Sequence, residues 1–125
     1  RRFYERHYTK VDPKHFEPIV DGMWRGVNVG GTSMLARLEG LDVCGKTGTA
    51  ENPRGRDHST FLSFAPKDNP KIAISVYVEN GGFGASAALP IASLLEEYYL
   101  TDTIRRPALL DYVRNMTINY PAYDR

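Results

Sequence analysis

The chain is poor in cysteine. Cys44 is the single one in 125 residues, so no internal disulfide forms, and no Cys/His spacing suggests a zinc site. As a nucleophile Cys44 would need a base, and His58 is the nearest in sequence; the simpler reading is a small, half-buried strand residue. Charge of one sign is also lacking. Sixteen Lys and Arg face fifteen Asp and Glu, a net +1, so no global field gathers nucleic acid or an anionic membrane. No apolar run approaches the roughly 18 residues of a membrane span. There is no signal-peptide pattern, no internal repeat and no low-complexity segment. An initiator Met is absent too, which suggests a processed or excised piece.

What is present is ordinary for a globular chain: 42% hydrophobic and 25% charged residues, enough for one domain, or part of one, with a modest core. The local exception is the start, "RRFYERHYTK". Arg1, Arg2, Arg6 and Lys10 are interleaved there with Phe3, Tyr4 and Tyr8, the mix that binds single strands of nucleic acid. The run is short and Glu5 interrupts it, which favours a terminal segment with a solvated face and no nucleic-acid partner.

Phe16, Ile19, Val20, Met23, Trp24 and Val27 recur at helical spacing, and Gly30-Gly31 ends that stripe. Gly22 and Gly26 weaken such a helix, so packing has to support it. "SMLARLE" suggests a short helix, with Thr32 or Ser33 as cap and Gly40 as stop. Three strands follow. One begins near Val43, one covers "HSTFLSFAP", and one covers "KIAISVYVEN", with Ile72, Ile74, Val76 and Val78 on one face. From about Ser86 to Leu100 a helix carries Leu89, Ile91, Leu94, Leu95, Tyr98 and Tyr99. A last short helix is expected around Leu109 to Val113. Short connections favour antiparallel neighbours, so the fold class is α+β: a three-strand meander with the long helix on one face and a helical segment before it.

"GLDVCGKTGTAENPRG" holds two readings at once. Gly40, Gly45, Lys46 and Thr47 match the phosphate-binding P-loop, while Lys46-Thr47-Gly48-Thr49 match the lysine motif of penicillin-interacting serine enzymes. A P-loop requires a helix straight after its lysine, to present N–H groups and dipole to phosphate. Gly48, Pro53 and Gly55 argue against that helix. Gly82, Gly84 and Ala87 similarly match G-x-G-x-x-A of a dinucleotide site. Asp102 follows the next helix directly, with no strand to present it as the ribose-binding acid, so a glycine-rich turn is the better reading.

Five segments in one order carry a resemblance: "VDGMWRGVNVGGTS", "GKTGTA", "DHSTFLSFAP", "IAISVYVENGG" and "ASAALPIASLLEEYY". Together, over about residues 14–100, they resemble the C-terminal part of the transpeptidase domain of class B penicillin-binding proteins, a serine β-lactamase-like fold. "DH-x-x-F-x-x-FAP" and "ENGG" look most like the elongation-type members. The resemblance implies a D,D-transpeptidase of peptidoglycan synthesis. An active-site serine attacks a D-Ala-D-Ala stem peptide, D-Ala leaves, and a second stem's amine takes the acyl group. β-Lactams imitate the stem. Lys46 then supplies positive field to the substrate carboxylate, and Thr47 and Thr49 supply hydroxyls. Gly48 leaves room for a peptide laid along the strand. By the same resemblance the Thr49 backbone N–H is half of the oxyanion hole. No cofactor or metal is implied. A parent anchored on the periplasmic side of the bacterial inner membrane, within a cell-elongation complex, is.

The sequence departs from that family at its centre. Serines 33, 59, 63, 75, 86 and 93 all lack a lysine three residues on, and none begins S-x-N, so the nucleophile motif is absent. The expectation is a wall without its nucleophile, inactive alone. Its parts are residues 14–40 before the motif strand, 41–100 with three strands and the long helix, and 101–125 as a tail. Tyr112, Arg114, Tyr120 and Tyr123 in that tail are types frequent at interfaces. An uncovered sheet face and edge would favour homo-oligomers. For His58 a structural or loop-positioning role is expected.

Overall fold

The computed structural model describes residue 5 and residues 7–118. Most of the basic, aromatic start, and Tyr120 and Tyr123 of the tail, lie outside the described residues.

Three strands form one antiparallel sheet in the order β1 (Cys44–Ala50), β2 (His58–Ala65) and β3 (Ile72–Val78). Helix α1 (Phe16–Asn28) precedes them; α2 (Ala88–Thr101) and α3 (Pro107–Asn115) follow. The alternation expected of β3 holds: Ile72, Ile74, Val76 and Val78 are half-buried, while Ala73, Ser75 and Tyr77 are exposed.

Both α1 and α2 lie on one face of the sheet, α1 against β1 and α2 against β2 and β3. The core between these layers is Val27, Val43, Phe61, Ala65, Ala88, Leu89 and Ala92. Phe61 fits there because Gly45 has no side chain: a Cβ at Gly45 would lie 2.6 Å from the Phe61 ring tip. That contact explains one of the P-loop letters without any phosphate. On the opposite face Lys46, Leu62, Ala73, Ser75 and Tyr77 are exposed, with no covering layer among the described residues.

One expectation needs correction. "SMLARLE" is a single 3-10 turn over Met34–Ala36, and the Ser33 side chain caps nothing. From Arg37 the backbone is extended, because the chain buries Leu38 and pairs it with Leu41 in a tight turn at Gly40 (φ +75°) before entering β1. In α2 the apolar and aromatic positions do not all face inward: Leu95, Tyr98 and Tyr99 are exposed, while Ala92, Ser93, Glu96 and Glu97 are buried beside Leu89 and Leu94. Small residues let the helix lie close to the sheet, and the two acids are accommodated by partners outside the helix. Ser63 Oγ donates to Glu96 Oε2 (3.1 Å) and Arg106 Nε to Glu97 Oε2 (2.9 Å).

The start of α2 also lacks a capping side chain of its own. Ser59 on β2 supplies one: its hydroxyl accepts the Ala88 N–H (2.9 Å) and donates to the Phe83 carbonyl (2.9 Å). The other end of α2 closes at Asp102, in the left-handed region at φ +54°, whose N–H bonds the Tyr98 carbonyl. Asp102 is thus a helix stop and not a ribose ligand.

Candidate functional site

β1 pairs with β2 alone, so its other edge is open among the described residues. The chain continues as a strand to Ala50 and then as a loop over 51–57. No helix follows Thr47, and the helix N-terminus that a P-loop lysine needs is missing.

Lys46 is exposed, and its ammonium donates to the carbonyl of its neighbour Thr47 (2.7 Å). That carbonyl therefore faces the open edge. Backbone groups alternate sides along a strand, so the Thr49 N–H points to the same edge. The Thr47 hydroxyl lies 3.0 Å from that of Thr32, in the turn after α1. One cation, one hydroxyl already oriented by a second, and one outward N–H lie within four residues of this edge strand. This arrangement suits a ligand with a carboxylate and a polarised carbonyl.

Gly48 has neighbours on both faces. A Cβ there would overlap the Thr60 hydroxyl across the ladder. Behind it, Gly84 approaches so closely that a Cβ on Gly84 would stand 2.6 Å from the carbonyl oxygens of both Gly48 and Thr60. The room left by Gly48 is thus used within the chain, and what remains for a peptide is the edge. Sequence reading found the "GGFG" turn but not its contact with Gly48, since no local pattern links positions 36 residues apart.

His58 pairs with Ala50 at one end of the β1–β2 ladder, and Cys44 pairs with Phe64 at the other, about 20 Å away along the strand. They cannot act together. Burial also pushes the Cys44 thiol up to about 11, which leaves it inert. Among the described residues no cluster of His, Cys, Asp or Glu is arranged to hold a metal, and no helix is long and apolar enough to cross a membrane.

A K-T-G strand on the open edge of an antiparallel sheet backed by helices, with a loop and no helix after its lysine, is not a nucleotide cradle. The chain belongs to the penicillin-binding protein transpeptidase domain family, whose pattern matches residues 4–95. It is 36% identical over 106 residues to the peptidoglycan D,D-transpeptidase MrdA of Haemophilus influenzae, covering 71% of this chain and 16% of that relative. The structure is similar to Pseudomonas aeruginosa PBP2 in complex with WCK 5153, at 32% identity and a TM-score of 0.61, covering 76% of this chain and 21% of that one. It is also similar to the imipenem acyl-enzyme complex of penicillin-binding protein A from M. tuberculosis, at 28% identity and a TM-score of 0.58, covering 72% of this chain and 20% of that one. The chain thus spans about a fifth or less of the proteins it matches. These findings agree with the expected likeness to elongation-type members and with the fold class.

Proposed function

We propose that residues 46–49 hold the donor stem peptide of a peptidoglycan D,D-transpeptidase, whose serine nucleophile lies outside these 125 residues. The observation that carries this reading is the open edge of β1, with the Lys46 ammonium and the Thr49 N–H on it. In this reading Lys46 and the Thr47 hydroxyl bind the terminal carboxylate of D-Ala-D-Ala. The scissile carbonyl then meets the Thr49 N–H, which stabilises the oxygen as it becomes negative. Attack by serine forms an ester, expels D-Ala, and leaves an acyl group for a second stem's amine. β-Lactams would enter by the same edge.

Fluorescent penicillin tests this. The 125-residue chain alone should take no covalent label, while the longer protein that contains it should label. Lys46→Ala in that longer protein should slow labelling roughly tenfold or more, as expected for losing a charge-assisted contact. Labelling of the chain alone, or an unchanged rate in the Lys46 variant, would overturn the reading.

The same family likeness supports a parent that acts in the periplasm, anchored to the inner membrane, in cell elongation. The exposed face around Leu62 and Tyr77, together with two open sheet edges, supports self-association of the isolated chain. Light scattering at high micromolar concentration should give a dimer or larger species; a clean monomer would refute it.

A further inference from the structure

His58 lies at the start of β2, where its ring stacks at a tilt on Tyr77, with centroids 5.4 Å apart. Its Nδ1 accepts the backbone N–H of Asn80 (3.0 Å). A backbone N–H can only donate, so Nδ1 must present a lone pair and any proton of the neutral ring sits on Nε2. Asn80 is almost wholly buried and sits at φ +55°, in the left-handed region that asparagine adopts more readily than most residues with a side chain.

Asn80 is a junction between two loops. Its Oδ1 accepts from Asn52 Nδ2 (3.0 Å), and the Asn52 N–H donates to Asp57 Oδ1 (3.1 Å). The Asp57 carbonyl in turn accepts the Gly82 N–H (2.8 Å). The loop after β1 and the turn after β3 are thereby fastened together around His58. Two residues past Gly82, Gly84 rests on the Gly48 and Thr60 peptides. The turn that His58 holds is therefore the backing of the motif strand.

We propose that neutral His58 is a positioning residue: it locks the turn at 80–84 against the back of Gly48 and Thr60, and protonation of its Nδ1 releases that lock. A proton on Nδ1 would face the Asn80 N–H donor to donor and leave that buried N–H without an acceptor. The ionisable residues on the elements packed there are Glu51, Arg54, Arg56 and Asp57 before His58, Tyr77 and Glu79 at the end of β3, and Tyr112 of α3, whose hydroxyl donates to the Ser86 carbonyl. The first turn of α2 contributes none. The consequence for acyl transfer rests on reading β1 as the substrate wall; the lock itself does not.

Two measurements separate these levels. In the 125-residue chain, a pH titration followed by nitrogen-15 nuclear magnetic resonance should show the amides of Asn80, Gly84 and Thr49 moving with the His58 ring. His58→Asn keeps an acceptor oxygen near the Nδ1 position but does not titrate, so there the three amides should lose that transition. Gly84 and Thr49 amides that stay fixed while His58 titrates, or that move equally in His58→Asn, would overturn the inference. In the longer protein, His58→Ala should slow penicillin labelling roughly tenfold, and His58→Asn should restore it to within about threefold while flattening the loss of rate at acid pH. An acid loss retained in His58→Asn counts against the inference. If the longer protein takes no label at all, the substrate-wall reading falls and the resonance result still decides the lock.

Discussion

Replacing Arg106 with methionine is expected to lower the unfolding free energy by about 3–5 kcal/mol, the range for stranding a buried charge. Arg106 Nε donates to Glu97 Oε2, one terminal nitrogen to the Ser93 carbonyl and the other to the Leu35 carbonyl, each at 2.9 Å. One guanidinium thus joins α2, the 3-10 turn before β1 and the entrance to α3. The Glu97 side chain is only 6% exposed. Without Arg106 it would keep just the Arg105 N–H, at 3.2 Å, and the Ser93 and Leu35 carbonyls would lose the guanidinium donors. Methionine preserves most of the aliphatic stem, so the loss reports the charge and hydrogen bonds, not lost packing. Urea unfolding of the two proteins measures it. Adding Glu97→Leu to Arg106→Met should recover a large part of the loss, because the stranded charge is then gone. A change below about 1 kcal/mol in the single variant would place this pair with the surface bridges Asp12–Lys14 and Asp21–Arg25, where solvent screens the interaction.

The second large effect is a fall in stability as pH rises. Glu96 has no exposed surface, and burial pushes its carboxyl up to about 7, opposed by the Ser63 hydroxyl and the Arg106 charge. Oε1 of Glu96 and the hydroxyl of Ser93, one turn earlier, are buried without a partner among the described residues. Because the folded value lies above the ordinary 4.5, the folded state keeps a proton that the unfolded state has released. The contribution is complete below about pH 4.5, declines as pH rises, and is lost above about 7. The full change is on the order of 3 kcal/mol. Lowered values at Asp12 and Asp21 act in the opposite direction, and only at more acidic pH. Urea midpoints at pH 5 and pH 8 should therefore differ, by roughly 1–2 M for a chain of this size. Glu96→Gln should remove most of that difference. Equal midpoints in the original chain would show that Glu96 ionises freely when folded.

Much of the molecule follows from short-range pattern. Period-2 alternation located β3 and its buried face, and apolar spacing located α1. Gly48, Pro53 and Gly55 argue against a helix after Lys46, and the chain there is strand and then loop. The long-range partners of polar residues were not legible. Glu96 and Glu97 sit in "LLEEYY" with the look of a solvated helix face, and nothing local shows that Ser63 and Arg106 will receive them. For the same reason the pattern does not show that Tyr98 and Tyr99 stay exposed. Burial of α2 is decided by how closely the helix lies on the sheet, and small residues win that competition over rings.

The candidate site divides in the same way. The letters of Lys46 to Thr49, in their five-segment context, determined the family, and the six serines by themselves show that no S-x-x-K motif is present. They did so because motif identity and strand propensity are local properties of the chain. Only the tertiary structure decided that the Thr49 N–H faces an open edge, that Thr60 and Gly84 occupy both sides of Gly48, and that His58 secures the turn behind it. Those facts depend on hydrogen-bond parity between strands and on contact between backbones some 36 residues apart, and a linear sequence encodes neither directly.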